Sequence, residues 1–295
     1  MKKFIILIPL YNDWKSVSKL LNEIDVQTKN WDTEVSVIIV NDASTEKKSD
    51  LYSKYKKIKS IKILNMKENR VHQRCIAAGL MYISKNEDFD RVIIMDADGE
   101  DRPEELNDFY KKSLENPKMT ITGNRFKRSE GIVFRFLYEA HKILTVIFTG
   151  KFIKFGNFSC VPKNHVEELI KKPYLWNSYS SSVVRAINER TSISSIRGLR
   201  YVQPSKMNFI SLFFHSLSII SVFRSAVIIR SILYFVVYLF FIFNNLSIFT
   251  LIPVIFLFSF LIIVLNISRR SNLNGLSKSL DNIESIEILG SSNSR

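Results

Sequence analysis

The sequence predicts an α/β domain built on a doubly wound sheet, followed by a two-helix membrane hairpin. Three observations predict it. Short apolar runs rich in β-branched residues alternate with amphipathic stretches through residues 1–200. Clusters of polar residues fall directly after those runs, where open α/β sheets bind ligands. From residue 207 to 266 the chain then turns mostly apolar, with few charges. A chain of 295 residues has room for one sizeable domain and such an appendage.

The first strand is Phe4–Ile8. Lys2-Lys3 ahead of Phe4–Leu10 imitates a signal peptide, but the apolar stretch is short. It runs into Pro9-Leu10-Tyr11-Asn12-Asp13 without a small-residue cleavage site, so a buried strand accounts for it better. Trp14–Asp25 places Val17, Leu20, Leu21 and Ile24 at helical spacing. Val35–Val40 is the second strand and Ile61–Asn65 a weaker third. His72–Ser84 reads as a helix, and Arg91–Met95 as the next strand. This alternation is the pattern of a doubly wound sheet. Thr120–Thr122 adds a strand leading into Gly123-Asn124-Arg125, and residues 132–149 and 176–190 are helix candidates.

The C-terminal third changes regime. Lys206–Arg224 carries Met207, Phe209, Ile210, Phe213, Phe214, Leu217, Ile220 and Phe223, interrupted by serines and His215. It reads as an interfacial amphipathic helix, with a packed soluble helix as the alternative. Ala226–Phe243 and Leu246–Leu265 each approach the roughly 20 residues that cross a bilayer core. Only Asn244-Asn245 separates them, as in a hairpin. Arg224 and Arg230 precede the pair and Arg269-Arg270 follow it, while the turn is uncharged. The positive-inside rule then puts both ends and the large domain in the cytoplasm. From Ser271 onward the chain is polar and aperiodic, and a mobile tail is expected. The expected boundaries are thus a catalytic domain at 1–205, a juxtamembrane helix at 206–224, a hairpin at 225–267 and a tail at 268–295.

Forty-two Lys and Arg against 28 Asp and Glu give a net charge of +14, which favours anionic partners: nucleotides, lipid phosphates and headgroups. Nucleic acid is set aside. The lysines of segment 47–62 have no recognition module around them, and a solvated face explains them as well. Cys75 and Cys160 fit neither a disulfide framework nor a zinc-ligand spacing, so reduced thiols are expected. His72 and Gln73 read as a polar helix start, Gly156-Asn157-Phe158-Ser159 as a turn or an acceptor-side loop, and the aromatic-rich Tyr174–Tyr179 as core packing ahead of a wall of the sugar pocket. His141 and His165 have no metal-ligand partners at suitable spacing.

The chemistry concentrates in Asp96-Ala97-Asp98, directly after the strand Val92–Met95. Two carboxylates two residues apart at a strand end can converge on a hard cation, magnesium or manganese, that also binds diphosphate oxygens. A departing nucleoside diphosphate develops negative charge, which such a cation stabilises. Pro103 with Glu104 and Glu105 reads as a first helical turn, so those two glutamates are structural charges.

Ile8-Pro9-Leu10-Tyr11-Asn12, Ile39-Val40-Asn41-Asp42-Ala43-Ser44 and Met95-Asp96-Ala97-Asp98, in this order and spacing, resemble the family 2 glycosyltransferases of GT-A fold. The similarity covers roughly residues 3–205 and is nearest to the polyprenyl-phosphate sugar transferases. It implies a mixed, Rossmann-like sheet, a nucleotide-sugar donor, a polyprenyl-phosphate acceptor, a bilayer and a Mg2+ or Mn2+ cofactor. It also implies roles by position. Pro9, Tyr11 and Asp13 line the nucleotide pocket, Asp42 contacts base or ribose, and Asp96 faces the ribose or diphosphate. Asp98 ligates the metal, with Asp96 and Glu100 beside it. Many relatives carry glutamate where Asp13 stands, and continue with leucine and glutamine where this chain has Gly99-Glu100. Arg125 matches a phosphate-reaching arginine, and with Asp98 and Glu100 it completes the catalytic set. Arg125, Arg128 and Arg135 are the acceptor-phosphate candidates, while Arg197, Arg200 and Lys206 border the membrane side.

A lipid phosphate is already ionised at neutral pH and needs no strong base, so arginines suit it. A hydroxyl acceptor needs one, for which Glu100 or Asp101 is the residue to suspect. A catalytically idle adaptor that binds nucleotide or anionic lipid is the reading from another class. Self-association of the hairpin stays open.

Overall fold

The computed structural model describes residues 1–48, 51, 55–127, 132–202 and 209–290. Its centre is an eight-stranded mixed sheet in the order β7-β5-β6-β4-β1-β2-β3-β8. In chain order the strands are β1 Lys2–Leu10, β2 Thr33–Asn41, β3 Ile58–Met66, β4 Arg91–Ile94, β5 Thr120–Lys127, β6 Ser159–Pro162, β7 Arg190–Ile196 and β8 Ile283–Gly290. The four strands β4-β1-β2-β3 are parallel, with Ile6 opposite both Val37 and Ile93. β6 and β8 run antiparallel to their neighbours, and β7 pairs parallel with β5.

Phe4 to Ile8 are each no more than 3% exposed. Alternate residues of β1 belong to two different cores, as in a sheet covered on both faces. Phe4, Ile6 and Ile8 pack under α1 (Trp14–Thr28) and α3 (Leu106–Glu115). Ile5 and Leu7 pack under α2 (His72–Asn86), α5 (Lys163–Leu169) and α6 (Tyr179–Ala186). Each such side chain contributes on the order of 1.5–3 kcal/mol by leaving water, so this central strand is the best-anchored element. Three of the strands expected from apolar runs extend a few residues beyond them at either end, and the two early helices run on by two or three residues. The helix expected at 176–190 is shorter. A 3-10 turn at Pro173–Trp176 precedes α6, and residues from Arg190 belong to β7.

α4 spans Ile132–Thr149, as expected. α7 (Phe209–Ser221) lies within the stretch read as amphipathic, and α8 (Arg224–Ile242) and α9 (Ile248–Ser268) are the two long apolar helices. Only 17% and 6% of their most apolar windows are buried, whereas the core helix of a soluble domain would be mostly covered. Ser247 caps α9 with a reciprocal Thr250 box. Leu217 and Ile220 of α7, Val227 of α8, and Val264 and Ile267 of α9 form a small third core that Phe148 of α4 joins.

The tail from Ser271 corrects an expectation. Its described part is ordered: α10 (Leu273–Ser277) packs Leu276 into the core, and β8 pairs with Ser60–Met66 of β3. Ile61 lies opposite Leu289 and Leu64 opposite Ile286. The backbone ladder holds this strand, with only Ile283 and Leu289 packed against the cores, which is why neither composition nor period announces it.

Candidate active site

The loops that leave β1 and β2 are tied together. Asn12, at φ 49°, donates its N–H to Ser44 Oγ at 2.9 Å. Its side-chain oxygen accepts from the N–H groups of Thr45 at 2.8 Å and Glu46 at 3.1 Å. Tyr11 is exposed, Pro9 is buried in the strand end, and Asp13 occupies the N-cap position of α1 without a side-chain capping bond. The nucleotide-pocket candidates therefore stand on one rim. Asp42, 2% exposed, accepts from the N–H groups of Arg70 at 2.7 Å and Val71 at 3.0 Å, so it shapes the turn that opens α2. Val71 sits there at φ 75°, a conformation that disfavours a β-branched residue.

That turn delivers His72 to Asp96. His72 Nε2 lies 3.1 Å from Asp96 Oδ1, and the Asn157 amide donates to the same oxygen at 3.1 Å. Gln73 holds Asn157 Oδ1 at 3.1 Å and accepts from the Tyr179 N–H at 2.7 Å, which fixes the assembly to α6. Burial opposes charge on Asp96, but the adjacent His72, Arg125 and Asn157 outweigh it and hold the carboxyl well below its usual range. Burial, the largest single influence, lowers the His72 pKa, but Asp96 together with Asp98 and Asp101 outweighs it and leaves it raised. His72, Gln73 and Asn157, read from sequence as a helix start and a turn, are thus brought to the site. The signal for His72 and Gln73 was polarity at the head of an otherwise apolar helix, and for Asn157 its place in a loop read as a turn or an acceptor-side element.

The loop after Asp96 folds back on itself. Asp101 Oδ2 accepts from the Asp96 N–H at 2.9 Å, and its Oδ1 lies 3.3 Å from Arg125 Nη2. Arg125 projects from β5 with 13% of its side chain exposed, and a Cβ on Gly156 would come within 3.3 Å of it. Burial first, and the Asp96 charge second, push Asp101 up to about 7. Asp98 is pushed up to about 6 by burial and then by Asp96 and Glu100.

A strap that follows β7 closes over this loop. Arg200 Nη2 lies 2.7 Å from Asp98 Oδ2, and Arg197 Nη2 lies 2.5 Å from Glu100 Oε2. The Gly198 N–H donates to the Glu100 carbonyl and the Tyr201 N–H to the Asp98 carbonyl, both at 2.9 Å. Gly99 has φ 86°, and a Cβ there would fall 2.7 Å from the Tyr201 ring, so only glycine admits the strap. Arg197 and Arg200, expected at the membrane side, stand against the acidic loop instead. Arg128 and Lys206 lie outside the described residues, as does the side chain of Arg135 on α4.

Asp96, Asp98 and Glu100 do not form a ready cage. Asp96 turns to His72 and Asn157, while Asp98 and Glu100 turn to the strap. Among the described residues no three His, Cys, Asp or Glu side chains are grouped to hold an ion. The oxygen-only donor set still fits a hard cation, and three close carboxylates carry the charge surplus that raises Asp98. Magnesium-type sites take one or two carboxylates and complete themselves with substrate phosphates and water. Asp98 is the ligand such a site would use, with Glu100 or Asp96 beside it.

The sequence model of glycosyl transferase family 2 matches residues 5–170, more than half of the chain, and the chain belongs to that family. It is 23% identical over 175 residues to the undecaprenyl-phosphate 4-deoxy-4-formamido-L-arabinose transferases of Salmonella newport and Salmonella typhimurium. The match covers 58% of this chain, and the chain spans about half the length of those curated relatives. Among solved structures it resembles mannosyl-3-phosphoglycerate synthase from Rubrobacter xylanophilus, with TM-score 0.55 and 12% identity over 75% of this chain and 72% of that one. It also resembles glucosyl-3-phosphoglycerate synthase from Mycobacterium tuberculosis, solved with Mn2+, UDP-glucose and phosphoglyceric acid, at TM-score 0.53 and 11% identity. That likeness covers 77% of this chain and 80% of the other. The fold is GT-A.

Proposed function

We propose that the chain is a membrane-anchored, inverting glycosyltransferase that moves a hexose from a nucleoside-diphosphate sugar to a polyprenyl phosphate. The observation that carries this reading is the placement of a buried arginine, Arg125, behind the acidic loop of a domain joined to two long apolar helices that the rest of the described chain leaves largely uncovered. The names of the curated relatives, which act on undecaprenyl phosphate, support the acceptor class. The arginines flanking the apolar helices support a cytoplasmic catalytic domain.

In this reading Pro9, Tyr11, Asp13 and Asp42 border the nucleotide, and Asp96 faces the ribose or diphosphate. A divalent ion held by Asp98 would act as a Lewis acid on the departing diphosphate. Asp101 keeps Arg125 aimed at the space beside Asp96. Arg125, with Arg128 and Arg135 from the following segment, binds the acceptor phosphate, whose ionised oxygen attacks the anomeric carbon. No carboxylate is needed to remove a proton. The hydroxyl-acceptor alternative requires Glu100 or Asp101 as a base, yet both are engaged by arginines and Asp101 is 2% exposed.

The test is incubation of membranes carrying the chain with polyprenyl phosphate and a panel of labelled nucleotide sugars, with and without chelator. Labelled polyprenyl phosphate should form, should disappear with full metal removal, and should drop on the order of 10²–10³-fold in Asp98→Ala. Transfer that survives complete chelation overturns the cation assignment. Transfer to lipid phosphate retained by the double variant Glu100→Gln, Asp101→Asn removes the hydroxyl-acceptor reading. No turnover of any donor leaves the binding adaptor.

A further inference from the structure

α4 carries an apolar face that no part of the described chain covers. Ile143, Leu144, Val146 and Ile147 are exposed on it, and Phe152, just beyond its end, is 52% exposed. The opposite face is occupied: Thr145 and Thr149 are buried, and the Phe148 ring lies 4.4 Å from that of Phe260 on α9. Four large aliphatic residues and a phenylalanine left in water make a patch that monomeric soluble domains avoid.

The neighbours say what covers it. The Ile147 carbonyl accepts from Arg230 Nη1 at 3.0 Å and from the Tyr234 hydroxyl at 2.7 Å, so the end of α4 is pinned to the early turns of α8. Ile229, Ile232, Leu233 and Val236 on those turns and the one after are themselves exposed. The outer face of α4 therefore continues the lipid-exposed surface of the hairpin. Its rim carries three lysines and one carboxylate: Lys142, paired at 2.8 Å with exposed Glu139, and Lys154 place their ammonium groups 5.8 and 5.0 Å from the centre of the Phe152 ring, and Lys151 is exposed beside them. Long cationic side chains that flank an apolar face reach out to anionic headgroups while their stems stay in the apolar layer.

We infer that α4 and Phe152 are immersed in one leaflet of the phospholipid bilayer, with Lys142, Lys151 and Lys154 at its headgroup level. This rests on the reading of α8 and α9 as a membrane hairpin and adds a third, catalytic-domain element to the lipid contact. It has a mechanistic corollary. α4 follows the strand that carries Arg125, so immersion brings the domain down to the layer in which a lipid phosphate lies.

The test uses the full chain in lipid nanodiscs of mixed phosphatidylglycerol and phosphatidylcholine. Single cysteines at Ile143, Ile147 and Phe152 carry a nitroxide, in a background where buried Cys75 and Cys160 are alanine. Val236 on α8 serves as the lipid reference and exposed Lys29 as the aqueous one. Collision with oxygen should exceed collision with an aqueous nickel chelate at all three α4 positions, as at Val236. Values matching Lys29 at those positions, with Val236 still in lipid, overturn the inference and leave the hairpin intact. Protection from both reagents assigns the face to a second copy of the chain and also overturns it. An aqueous reading at Val236 removes the hairpin and the inference together. As a cysteine-free check, Phe152→Trp should gain quenching by brominated lipid relative to the native chain, and no gain counts against immersion.

Discussion

Arg200 and Asp98 form an ion pair at 2.7 Å across two segments just over a hundred residues apart, so the carboxylate best placed for a cation already holds a guanidinium. The pair is only partly exposed, at 27% and 14%, and its removal should free Asp98 for metal. In Arg200→Gln, Mn2+ without nucleotide should bind about three- to tenfold more tightly, as read by electron paramagnetic resonance of the free ion. Unchanged affinity would mean that the guanidinium and the ion do not compete.

Cation binding should also depend on pH through Asp98. Its carboxyl is pushed up to about 6, chiefly by burial and then by Asp96 and Glu100, so below that value a proton occupies the ligand. Affinity for Mn2+ with UDP should weaken about five- to sixfold from pH 6 to pH 5, as the ionised fraction of a group at about 6 falls from roughly one half to one eleventh. A flat titration from pH 7 to pH 5 would take Asp98 out of the ligand set.

Asp101 should leave a mark on stability instead. Its pKa in the folded chain, about 7, stands above the ordinary 3.8. Between those values the native protein holds more protons than the unfolded chain, so this residue's contribution falls as pH rises from about 4 to about 7. The loss is on the order of 2–4 kcal/mol. Asp101→Asn has no such titration, and its melting temperature in detergent should change less between pH 5 and pH 8 than that of the native chain. Identical pH slopes would place the dependence on other groups.

Val71 offers a test of strain. At φ 75° and ψ 146°, with 65% exposure, it loses little by surrendering its side chain. Relief of about 1–3 kcal/mol of backbone strain, less roughly 0.5–1 kcal/mol for the freer unfolded glycine, should make Val71→Gly more stable. Differential scanning calorimetry should show a melting temperature raised by a few degrees. A lowered one would show that the turn is held by the valine itself.

Much of the fold was legible because the central strands are buried on both faces. Phe4–Ile8, Val35–Val40 and Arg91–Met95 are continuous apolar runs for that reason, and the hairpin declares itself by length. β6, β7 and β8 escaped notice because they are short or polar and draw their stability from neighbours remote in sequence. The candidate site divides the same way. Asp42, Asp96 and Asp98 follow strands and could be found from position. Asn157 and Gln73 act through tertiary hydrogen bonds, and Arg197 and Arg200 through a strap whose approach depends on Gly99. None of these relations has a local period to betray it.

β8 also constrains how the chain is made. The hairpin is an excursion within one domain, because the polypeptide returns from it to finish the sheet at β3. During synthesis the edge of β3 stays bare until α8 and α9 have emerged, leaving unpaired backbone groups on the growing chain. Completion of the sheet therefore waits on synthesis of both long apolar helices. A chain that stops short of β8 would keep an open sheet edge at β3.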